Sequence, residues 1–111
     1  MSSGQANVRE WEDRRTDESR AVEAALRQHF RNVDAYRYNS ASLRLRIVDP
    51  AFKGLSHDER DARVEPFLSK LDERTQADIM NLVLLYPGEE AESFRAHLFN
   101  EEFEHPSRSM L

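Results

Sequence analysis

The sequence predicts an α+β fold: a three-stranded mixed sheet with helices packed on one face, in the order α-β-β-α(α)-β-α. Three observations predict it. Leu43, Leu45 and Ile47 alternate with Arg44, Arg46 and Val48, the period of a half-buried strand. Ile79 to Tyr86 is almost wholly apolar and is closed by Pro87-Gly88, as in a strand lying mid-sheet or covered on both faces. Around these runs, apolar residues recur at spacings of three and four, the period of a helix with one buried face.

The elements follow in order. Thr16-Asp17-Glu18 places carboxylates where a helix dipole favours them, and Val22, Ala25, Leu26, His29 and Phe30 share one face, predicting a helix from Asp17 to Arg31. Val33 to Tyr38 is a short aromatic strand, Asn39-Ser40-Ala41 a turn, and Leu43 to Val48 the second arm of a hairpin that Asp49-Pro50 ends. Ser56-His57-Asp58-Glu59 matches a capping box, and Val64, Phe67, Leu68 and Leu71 continue as a helical stripe. Pro66 either kinks that helix or divides it, since proline lacks an N–H and crowds the preceding turn. The crossover to the strand at 79–86 is long enough to make the last two strands parallel, with Leu82 and Leu84 turned to the helices. Glu89-Glu90 opens a last helix on which Ala91, Phe94, Leu98 and Phe103 share a face.

At 111 residues there is room for one core. The apolar share of 39% against 33% charged is too polar for the whole chain to pack. The expected division is therefore a mobile arm over 1–15, one domain over 16–104 and a tail over 105–111. No cysteine is present, which excludes disulfides and thiolate chemistry and fits a cytoplasmic location. Residues 1–15 hold no signal-like apolar run, and no stretch is long enough to cross a bilayer, so no membrane is expected.

The net charge of −5 is uneven. Arg37, Arg44, Arg46 and Lys53 outnumber Asp34 and Asp49 around the hairpin, whereas acidic residues dominate from Ser56 onward. No HExxH, GxSxG or phosphate-loop pattern occurs, so no enzyme is expected. Of the histidines, His29 sits beside the apolar stripe of the first helix, where packing is expected. His57 follows a cap residue and is expected at the surface. His97 has Glu101 one turn away and no third partner, and His105 lies in the tail.

The candidate surface is the sheet face opposite the helices. With Leu43, Leu45 and Ile47 turned to the helices, Arg44 and Arg46 project the other way, and Tyr36 and Tyr38 share one side of the neighbouring strand. Arginine beside exposed tyrosine stacks on bases or grips an acidic partner. The plainer reading, in which cationic stems cover a solvated sheet face, stands beside it.

The segment SLRLRIVDPAFKGLSHDERDARVEPFLSKL, residues 42–71, resembles the BolA-like family, and the resemblance spans roughly residues 18–90. Phe52 and Gly54 sit at the family's Phe-x-Gly turn, Ser56 starts the helix, and Arg60 and Val64 fall on its Arg-His-Arg-x-Val-type motif. Ile79-Met80-Asn81-Leu82 stands where the family has Ile-His-Ala-Leu. The resemblance implies this fold and a monothiol glutaredoxin partner that shares an iron–sulfur cluster through that last-strand histidine. Here Asp61 and Ala62 replace the motif's histidine and second arginine, Met80 replaces the ligand histidine, and Asn39 to Ser42 offers no second ligand. No cofactor is therefore expected, and the reading is a non-enzymatic interaction or adaptor module with an unidentified protein partner.

The fold is also close to one type of KH domain, but that mode needs a Gly-x-x-Gly clamp, and Lys53-Gly54-Leu55 supplies one glycine. Lys70 and Arg74 are balanced by Asp72 and Glu73. Weak nucleic-acid binding through Tyr36, Tyr38, Arg44 and Arg46 is the alternative.

Overall fold

Thr16 starts the first helix by a reciprocal cap. Its hydroxyl accepts from the Ser19 N–H at 3.2 Å, and Ser19 Oγ accepts from the Thr16 N–H at 2.9 Å. Helix α1 spans Asp17–Arg27 and stops short of the predicted Arg31. Arg27 instead donates to the Val33 carbonyl oxygen through Nε at 3.1 Å and Nη2 at 2.8 Å, while the Arg31 N–H donates to Asp49 Oδ2 at 2.7 Å. These bonds turn the chain into β1, Asn32–Asn39.

The computed structural model describes residues 13–89. The last helix expected from Glu89-Glu90 onward, with Ala91, Phe94, Leu98 and Phe103, lies outside them apart from Glu89, as do His97, His105, the tail and the arm up to residue 12. Arg15, at the arm's boundary, is tied to the domain by Glu23 at 2.8 Å and Asp34 at 3.1 Å.

β1 and β2, Ser42–Val48, form the predicted hairpin, and Asn39 Oδ1 shapes its turn by accepting from the Ala41 N–H and from Ser42 Oγ. Asp49 caps a 3₁₀ turn at Pro50–Phe52, and Gly54, at φ +85°, takes the left-handed conformation that delivers the chain to Ser56. The capping box is present: Ser56 Oγ accepts from the Glu59 N–H at 3.1 Å, and Glu59 Oε1 from the Ser56 N–H at 2.8 Å.

Helix α2 spans His57–Leu68 and runs through Pro66, so the proline does not divide it. Pro66 lies in the last turn, where a missing N–H forfeits one bond to the Ala62 carbonyl and the helix ends within a few residues. A separate helix, α3 at Glu73–Asp78, is capped by Asp72 and leads without a loop into β3, Ile79–Leu85.

The sheet order is β1-β2-β3, antiparallel then parallel, which is the predicted mixed α+β arrangement. Among the described strands β2 is central and β3 lies at the margin. Val22, Leu26 and Phe30 from the α1 side, Phe52, and Val64 of α2 pack on Val33, Ala35, Leu45, Ile47 and Leu84. Leu84 is buried as expected and Leu82 is half-buried against the same cluster. Phe67 continues it and stacks on His29 at 4.1 Å, His29 itself being exposed at the edge of the cluster rather than packed within it. Arg37 binds the helical layer to the hairpin, meeting Glu18 of α1 at 2.8 Å and Asp78 of α3 at 2.9 Å. Burial works against its charge, but the two carboxylates outweigh that and hold the guanidinium pKa above its ordinary value.

Candidate functional site

The four residues singled out for the second sheet face are brought together. Tyr36 lies opposite Arg44 in the antiparallel ladder and Asp34 opposite Arg46. Arg44 Nη1 donates to the Tyr36 hydroxyl at 3.3 Å, and its guanidinium carbon stands 3.9 Å from the Tyr38 ring centroid, a cation–π contact. Arg46 Nη2 donates to Asp34 Oδ2 at 2.8 Å, and Asp34 also receives Arg15.

The expectation that this face is open is corrected. Tyr36 is 0% and Arg44 4% exposed, and Tyr38 and Arg46 are half-buried. Val83 and Leu85 of β3 project to the same side and form with Tyr36 a second apolar cluster, flanked by Tyr38 and Val48. The face is an interior layer with its cations engaged internally. A buried guanidinium holds its charge only with such partners.

Two features at the β3 margin were not drawn from the sequence. The first is a clamp at its C-terminal end. Arg60, 4% exposed, donates through Nη1 to the Leu84 carbonyl oxygen and to Glu89 Oε1, each at 2.8 Å, and through Nε to the Leu55 carbonyl oxygen at 3.0 Å. Glu89 Oε1 also accepts from the Tyr86 N–H at 3.1 Å. Burial raises the Glu89 carboxyl pKa, but the Arg60 hydrogen bond, the Tyr86 N–H and the Arg60 charge prevail and leave it below the usual carboxylate value. Gly88, at φ +93°, makes the turn that returns Glu89 to the strand.

The second feature is an apolar exposure at the other end. Pairing with β2 runs Leu43 with Ile79 and then Arg44 with Asn81, so Met80 is an extra residue in β3. A bulge re-aims the side chain of its extra residue. Met80 is accordingly 71% exposed, the one large apolar side chain so placed among the described residues. Beside it a groove of about 200 Å³ is lined by Leu68, Ile79, Met80 and Leu82 with Glu65 and Gln76.

The resemblance implies a shared iron–sulfur cluster at this position. The donors here are a thioether and a carboxamide from Met80 and Asn81, whereas such clusters take thiolates and imidazoles. Among the described residues no group of three histidine, cysteine or carboxylate side chains converges. His29 and His57 are both exposed, His29 stacked on Phe67 and His57 at the start of α2, and neither belongs to a group of three such side chains. The residues do not fit the cluster. Among the described residues, no helix is long and apolar enough to cross a membrane.

Comparison with family models, with curated proteins and with solved structures gives no match to this chain.

Proposed function

We propose that this chain is a non-enzymatic protein-interaction or adaptor module on a BolA-like scaffold, acting without an iron–sulfur cluster. The observation that carries the reading is the β3 margin: a bulged, largely exposed Met80 beside an apolar groove. Water-exposed apolar surface costs free energy that burial under a partner recovers, and a flexible thioether packs against varied shapes. The scaffold part rests on the resemblance and on the element order, with β2 central and β3 parallel to it. Arg60 and Val64, the two residues on the family's helix motif, are both buried, which supports a scaffold role for that motif here.

The nucleic-acid alternative draws no support from Tyr36, Tyr38, Arg44 and Arg46, because two are buried and Arg46 is paired with Asp34. Stacking on bases needs open ring faces and free cations.

The test is a photo-crosslinking side chain installed at position 80 of the full chain, with exposed Arg63 as the control position, expressed in the native cells. A discrete protein adduct at position 80 alone, rebuilt as a complex from purified components, is the expected result. Adducts confined to nucleic acid, or identical at both positions, contradict the reading.

A further inference from the structure

The β3 margin carries enough detail to name the kind of partner, resting on the adaptor reading above. Asp49 N–H donates to the Leu85 carbonyl oxygen at 2.9 Å, so Leu85 presents its peptide groups to β2. In a parallel ladder alternate residues do so, and the groups of Leu82 and Leu84 therefore face away from β2. Arg60 confirms that direction by capping the outward Leu84 carbonyl. At Leu82 no described residue supplies such a cap. One half of this margin is thus closed by a buried ion pair, and the other presents main-chain groups beside an apolar groove. An unpaired strand margin is a template for an added strand.

We propose that residues 80–82 of β3 accept an extended peptide segment of a partner protein by strand addition, placing an apolar side chain in the groove and basic residues at its rim. Main-chain pairing supplies the affinity in this mode, and pockets for alternate side chains supply selectivity. Glu65 is the charged residue lining the groove, and Asp61 lies one turn earlier on the same side of α2, both exposed. These carboxylates favour lysine or arginine on the incoming segment. A second copy of this chain is disfavoured as the occupant. Pairing two β3 margins about a two-fold axis sets the two α2 helices along the same seam, carboxylates facing carboxylates. The Arg60–Glu89 clamp stops pairing at Leu84 and so fixes the register of the added strand.

A displayed library of random decapeptides, panned on the immobilised full chain, tests the inference. Expected is a consensus of alternating apolar residues flanked by lysine or arginine. The synthetic consensus peptide should slow amide exchange at Leu82 and shift the resonances of Leu68 and Gln76. Met80→Asp should weaken its binding at least tenfold, and Glu65→Lys should transfer preference to the same peptide with glutamate in place of its basic residues. A helical or acidic consensus, unchanged binding to Met80→Asp, or self-association protecting the Leu82 amide without peptide overturns the proposal. Selection of no peptide, with a protein adduct still formed at position 80, overturns strand addition and leaves the adaptor reading standing. Failure of both removes the adaptor reading as well.

Discussion

Replacing Arg60 with Met keeps the volume and apolar stem of the side chain and removes three hydrogen bonds at 2.8–3.0 Å, to Leu55, Leu84 and Glu89. Removing one partner of a buried ion pair costs about 3–5 kcal/mol, because the other charge stays behind in a poor solvent. Glu89 keeps 15% side-chain exposure and the Tyr86 N–H, so water relieves part of the loss and the lower end applies, about 3 kcal/mol. Urea unfolding followed by circular dichroism measures it as a fall in midpoint at constant m. Glu89→Gln in the parent should cost about 1–3 kcal/mol, since the amide oxygen still accepts from Arg60 and Tyr86 but the buried guanidinium loses its counter-charge. In the Arg60→Met background the same change should cost nothing or restore stability by removing the orphaned charge. A loss below about 1 kcal/mol for Arg60→Met, or equal Glu89→Gln effects in both backgrounds, would refute the clamp.

Leu84→Ala should destabilise by about 2–5 kcal/mol, whereas Met80→Ala should stay within about 0.5 kcal/mol, read from the same urea midpoints. Arg44→Ser with Arg46→Ser should lower stability by about 2–4 kcal/mol, since it strips a buried cation–π contact and the Asp34 ion pair. A double variant as stable as the parent shows that the second face is not an interior layer. For pH, the Glu89 and Asp72 carboxyls are both held below their ordinary values in the folded chain. Their contribution is fully present above the unfolded-state carboxylate pKa and is lost as pH falls through the folded values. Urea midpoints should therefore drop on acidification below about pH 4.5, less steeply in Glu89→Gln. The purified protein should be colourless alone and with a monothiol glutaredoxin. Visible cluster absorption that disappears on Met80→Ala contradicts that.

Local rules made much of the fold legible. Ser56 and Glu59 meet as a capping box because that bonding involves only neighbours in sequence, and the Leu43-Leu45-Ile47 alternation needs only one buried face. The end of α1 was not legible, because Arg27, Arg31 and Asp49 set it across 18 residues of sequence. The second sheet face is more instructive. An apolar run such as Ile79 to Tyr86 implies a strand covered on both sides, and that already conflicts with an open face on Arg44 and Arg46. The face is buried, with Val83 and Leu85 beside Tyr36 on it, so the run outweighed the alternation of charge on β2. The exposure of Met80 was hidden for a different reason. The resemblance picks out its position, where the family has a histidine, but the apolar run alone gives no sign that its side chain is exposed. Its exposure depends on a bulge against Leu43 and Arg44, a pairing between strands separated by two helices. No periodicity within β3 encodes where its partner strand slips by one residue. A surface created by register therefore appears only when the register is known.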